Sequence, residues 1–173
     1  MKKHTIAILI LGGAFGMIAG TTGCQTVRVE EAKFPPLVGA WRSSVLFKSG
    51  TLAAMKDMEF MYVFNAGGTM TESSSYDQTP PVPPAYGIWR LVSERQYEAR
   101  YEFYWTKPPG NVEELSKGGG WLPGGHGEIT QQITLSEDGN SFESVIRLET
   151  YDQDGRPTEE ASMGTAQGQR IKF

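Results

Sequence analysis

The sequence predicts an all-β domain, an eight-stranded antiparallel up-and-down barrel that follows a cleaved signal peptide. Three observations carry that prediction. From Gly39 onward, apolar and polar residues alternate with a period of two, as in strands that bury one face. Turn residues break the alternation at close intervals, which suits hairpins rather than parallel strands that need helical crossovers. The chain holds 21 Gly and 10 Pro in 173 residues, so turns are plentiful. Closing eight such strands into a barrel removes the edges that an open sheet would expose.

The chain opens with Met1-Lys2-Lys3-His4, an apolar run from Thr5 to Ala19, and Gly20-Thr21-Thr22-Gly23-Cys24. A basic start, a short apolar stretch interrupted by Gly, and small residues before a cleavage point form an export signal over residues 1–23. The string ending at Cys24 resembles the lipobox of bacterial lipoproteins, with Thr21 where Leu is usual. That resemblance implies cleavage before Cys24, acylation of its thiol, and attachment to a lipid bilayer. Gln25 in place of Asp after the Cys implies delivery to the outer membrane where one exists, on its periplasmic or its surface side. Residues 24–38 are polar and then Pro-rich, and read as a lipidated tether before the barrel domain at 39–173.

The strands follow in order. The first is Gly39–Phe47, then Met58–Phe64 and Thr69–Tyr76 around the turn Asn65-Ala66-Gly67-Gly68. Tyr86–Val92 and Gln96–Trp105 flank Ser93-Glu94-Arg95, and Glu128–Leu135 and Ser141–Tyr151 flank Ser136-Glu137-Asp138-Gly139-Asn140. A last strand falls within Pro157–Gln169. Alternation is clearest from Tyr97 to Trp105, where Tyr97, Ala99, Tyr101, Phe103 and Trp105 share one face. Three connections are longer: a short helix is expected in Ser49–Asp57 and a stiff extended bridge in Thr79–Pro84. Lys107–Gly127 reads as a long loop, a functional lid or a disordered flap, with a capping box at Asn111-Val112-Glu113-Glu114.

Charge and composition narrow the chemistry. The net charge of −4 becomes −6 once Lys2 and Lys3 are removed, and the remaining cations are scattered, which argues against a nucleic-acid partner. Cys24 is the single cysteine, so the chain holds neither an internal disulfide nor a thiolate metal cluster. No metal site and no cofactor are expected. His126, in Gly124-Gly125-His126-Gly127-Glu128, is the one histidine after the leader, and a solvated role in a Gly-rich loop outweighs an acid–base role. Ser73-Ser74-Ser75 lacks an activating motif, and Gly118-Gly119-Gly120 lacks the strand-to-helix setting of a phosphate loop, so no catalytic residues are assigned.

Gly39-Ala40-Trp41-Arg42 opens the first strand, and Gly87-Ile88-Trp89-Arg90 repeats the pattern. The first Gly-x-Trp resembles that of lipocalin and calycin barrels, which implies an eight-stranded cup with Trp41 packed across its closed end. Gly39, Trp41, Gly87 and Trp89 are therefore expected to be structural. Phe60, Tyr62, Phe64, Tyr101, Phe103 and Trp105 point into such a barrel, either as the walls of a ligand pocket or as the filling of a core. The leading expectation is a lipid-anchored lipoprotein that holds a small apolar or amphipathic ligand. A barrel isomerase or cyclase and an envelope structural or protein-interaction lipoprotein are the alternatives.

Overall fold

The computed structural model describes residues 36–77, 82–114 and 121–173. Eight antiparallel strands close into one barrel in sequence order, and β1 pairs with β8 to complete it. They are β1 (Gly39–Phe47), β2 (Met58–Phe64), β3 (Thr69–Ser74), β4 (Ala85–Ser93), β5 (Gln96–Lys107), β6 (Leu122–Leu135), β7 (Ser141–Asp152) and β8 (Ser162–Arg170). The up-and-down order and the strand count match the sequence prediction. The leader, Cys24 and the greater part of the tether lie outside the described residues.

Alternation decides which side chains fill the barrel. Phe60, Tyr62 and Phe64 are buried, whereas Met61 and Val63 on the same strand are exposed. Outward positions on neighbouring strands form ion pairs, such as Arg100 with Glu128 at 2.8 Å and Arg90 with Glu98.

Glycine serves this barrel as much through space as through turns. Gly87 pairs with Tyr101, Gly127 with Phe103, and Gly168 with Phe142. In each pair the aromatic ring or its Cβ occupies the place of a glycine side chain: a Cβ on Gly127 would lie 2.4 Å from the Phe103 ring, and one on Gly168 2.2 Å from Phe142. Bulky rings can therefore enter a narrow barrel by lying over cross-strand glycines. Gly139 and Gly155 are among the glycines that serve conformation instead, at φ 69° and 77° in the turns after β6 and β7.

Two expectations change at the loops. β5 runs on to Lys107 and β6 begins at Leu122, so the connection is 108–121 rather than 107–127, and His126 lies in a strand. The glycines at 124, 125 and 127 concealed that strand, because they leave no side chains to alternate. Within the connection, Asn111 Oδ1 accepts from Glu114 N and Glu114 Oε2 accepts from Gly110 N, a cap for the helical residues 112–114. The helix expected in Ser49–Asp57 is a 3-10 turn over Thr51–Ala54, with no side-chain cap. Extended backbone at Met55 stops it after four residues, too few for an α-helical ladder.

Candidate functional site

The barrel interior divides into three levels. At the closed end, Leu37, Trp41, Phe64, Met70, Trp89, Tyr97 and Phe142 are buried and packed together. Trp41 donates its indole N–H to Leu37 O at 2.9 Å and packs against Phe142 with ring centroids 5.2 Å apart. The Arg170 guanidinium lies over the Trp41 ring, 4.2 Å from its centroid, and donates to the Val38 and Gly139 carbonyls. Trp89 donates to the carbonyls of Asn65 and Thr69 and packs edge-on against Phe64. Both tryptophans of the repeated Gly-x-Trp pattern thus close the base of the barrel.

Polar side chains form the middle level. Tyr101 OH donates to Gln131 Oε1 at 3.1 Å, and Gln131 Nε2 donates to Ser144 Oγ at 2.8 Å. Tyr62 OH lies 3.5 Å from the same amide nitrogen. Gln131 is fully buried, so these partners replace the water that its amide gives up. Burial drives the Tyr62 and Tyr101 hydroxyls above the usual phenol range, which favours their neutral forms.

Above this floor the barrel opens as a cup of about 370 Å3. Phe47, Met58, Phe60, Phe103, Ile129 and Leu148 form its apolar wall, with Leu52 of the 3-10 turn, Met55 just after it, and Trp105. Loops join across that mouth: Thr51 Oγ1 donates to Glu159 Oε2 at 2.6 Å, and Tyr76 OH donates to Asp57. Asp77 Oδ2 accepts from Ser74 N, and Val82 N donates to Asp77 O at 2.8 Å, while residues 79–81 of the expected extended bridge lie outside the described residues.

Of the six predicted pocket residues, Phe60, Phe103 and Trp105 line the cup. Tyr62 and Tyr101 belong to the floor, and Phe64 to the base. His126 does not join them, because it points outward, stacks on Tyr151 at 4.9 Å, and places Nε2 3.8 Å from Glu128 Oε1.

Glu72 is the residue that sequence reasoning misses. It pairs with Tyr62 in the β2–β3 register, is 6% exposed, and opens into the cup. Its Oε1 is buried with no hydrogen-bond partner. Burial raises the Glu72 carboxyl well above the ordinary range, and the nearby charge of Asp77 raises it further, both favouring its neutral form. The signal was present in the parity of β3, since Met70 faces inward and Glu72 two residues later must share its face.

No family model matches the chain, and no curated protein is significantly similar to it. What defines the class is therefore the architecture itself: a closed up-and-down barrel with a filled base, a hydrogen-bonded floor and an open apolar cup.

Proposed function

We propose that this protein is a lipid-anchored envelope lipoprotein whose barrel carries a small apolar or amphipathic ligand in its cup. The apolar cup over a satisfied polar floor supports the reading. Its volume of about 370 Å3 falls within the range of roughly 300–1,000 Å3 usual for small-molecule sites. The interior of an eight-stranded barrel can be filled by its own side chains, so a cavity of this size is not required by the fold. Native mass spectrometry of the full chain released gently from its host membrane tests this. A bound small molecule of reproducible mass is expected, and a chain that carries nothing and takes up no apolar probe refutes the proposal.

The anchor rests on Cys24 and its preceding small residues. Acylation there would hold the barrel at the membrane through at least two chains, each contributing about 0.8 kcal/mol per buried methylene. Cys24→Ser is expected to leave an uncleaved precursor that takes up no labelled fatty acid. Normal cleavage together with membrane retention in that variant would contradict the assignment.

One observation favours a second reading, a proton-transferring isomerase or cyclase: the buried Glu72 carboxyl, raised well above the ordinary range, beside an apolar cup. The molecule recovered from a Glu72→Gln variant discriminates. An enzyme would hold unconverted substrate there and product in the wild type, whereas a carrier would hold the same compound in both.

A further inference from the structure

We propose that the ligand of the cup is an apolar molecule bearing a basic amine, seated with its ammonium group on the carboxylate of Glu72. This rests on the reading of the barrel as a ligand carrier and adds the chemistry of the ligand.

The first observation is the unpartnered oxygen. Tyr101, Gln131 and Ser144 satisfy one another beneath the cup, whereas Glu72 Oε1 is buried and unpaired at its edge. A buried acceptor left without a partner is costly, and a donor brought by the ligand would remove that cost. Glu72 is 6% exposed and borders the cavity, so a molecule inside the cup meets its side chain, while Oε1 itself is closed to water and needs the carboxyl to turn towards the entering donor.

The second observation is the sign of the lining. Glu72, Asp77 and Glu159 contribute carboxyls to the cup, and no Lys, Arg or His is found among its described lining residues. A fatty acid or other anion would meet acidic groups and no cation. An ammonium group meets the opposite charge it requires, and Phe60, Phe103 and Trp105 offer aromatic faces to it in the same space. The apolar wall then takes the hydrocarbon part of the molecule.

Binding of this kind moves one proton. Burial favours the neutral Glu72 carboxyl, and an entering ammonium ion displaces its proton to solvent, leaving the carboxylate paired with the ammonium. The groups that act on Glu72 are the phenols of Tyr62 and Tyr101, held neutral by burial, and the carboxyl of Asp77, so none provides a competing cation. Affinity for the amine therefore falls as the pH is lowered from neutral, because the carboxyl gives up its proton less readily.

Calorimetric titration of the purified full chain with octylamine, octanol and octanoate tests the proposal, in two buffers of different ionisation heat so that released protons are counted. Octylamine is expected to bind at least about tenfold more tightly than octanol, from the added charged hydrogen bond, with proton release and weakening at low pH. Octanoate is expected to bind most weakly. Glu72→Gln keeps the side-chain size and is expected to retain octanol while losing the preference for the amine. The wild-type pH series needs no variant, so it decides the matter even if that substitution prevents folding. Octanol binding as tightly as octylamine, or an amine affinity indifferent to pH, overturns the amine assignment and leaves the carrier reading intact. Failure of all three probes to bind overturns both.

Discussion

Replacing Glu72 by Gln should stabilise the barrel, and the gain should grow with pH. Glu72 sits on the inward face of β3, 6% exposed, with Oε1 unpartnered and Asp77 nearby. In the unfolded chain a glutamate titrates near about 4.3, while burial raises the folded value well above that. Between the two values the folded protein retains a proton that the unfolded chain has already lost. Stability is therefore greatest below the unfolded value and declines as the pH rises towards the folded one, by at most about 1.4 kcal/mol per pH unit from this group. Asp77, also raised by burial, adds a decline of the same sign that is common to wild type and variant. Glutamine cannot ionise, so the difference between the two proteins isolates Glu72. Urea unfolding followed by tryptophan fluorescence at closely spaced pH values should show a difference that is flat below about pH 4, rises through the window, and levels off once Glu72 ionises in the folded state. A difference constant across the whole range, or a wild type that gains on the variant as pH rises, would refute the account of Glu72 as a buried, neutral acid.

Other consequences follow from the base and the turns. Arg170→Met removes the cation over Trp41 and leaves the Val38 and Gly139 carbonyls without that donor, which should cost about 2 kcal/mol in urea unfolding; an unchanged midpoint would contradict the role. Gly168→Ala drives a methyl into the Phe142 ring, itself confined by Trp41 and Tyr62, and should cost about 1–3 kcal/mol that a second Phe142→Leu change partly restores. Gly67→Ala, with nothing near its added Cβ, should lie within about 0.5 kcal/mol of wild type by the same assay. Asp138 accepts from Ser136 Oγ and from the backbone and side chain of Asn140, and these bonds lower its carboxyl to about 2. Its folded value lies below the unfolded one, so its contribution is present at neutral pH and lost as pH falls through that interval; Asp138→Asn should flatten this part of the acid unfolding curve.

The barrel was legible because its strands bury one face. Tyr97, Ala99 and Tyr101 alternate with Glu98, Arg100 and Glu102, and the structure buries the first set while leaving the second at the surface. Where glycine replaces the inward residue, that record fades. The first part of β6 is hidden by Gly124, Gly125 and Gly127, which are small because Trp105, Phe103 and the β7 backbone crowd them. Height along the barrel is a second quantity that alternation cannot report. Phe60, Tyr62 and Phe64 share one face at a spacing of two, yet they occupy the cup, the floor and the base in turn. Telling them apart requires the closure of all eight strands and the cross-strand partners that closure brings. Glu72 was obscured for a different reason: a charged residue in a Ser-rich strand suggests water, and only the inward position of Met70 beside it suggests otherwise.

The central claim is that small apolar molecules enter the cup above the Tyr101–Gln131–Ser144 floor. Methionine methyl groups provide markers on both sides of the wall, since Met55 and Met58 line the cup while Met61 and Met163 face outward at 47% and 41% exposure. NMR spectra of the full chain labelled at its methionine methyls, recorded during titration with octylamine, should show Met55 and Met58 shifting while Met61 and Met163 stay in place. Shifts confined to Met61 and Met163, or no shift at any of the four, would contradict the account.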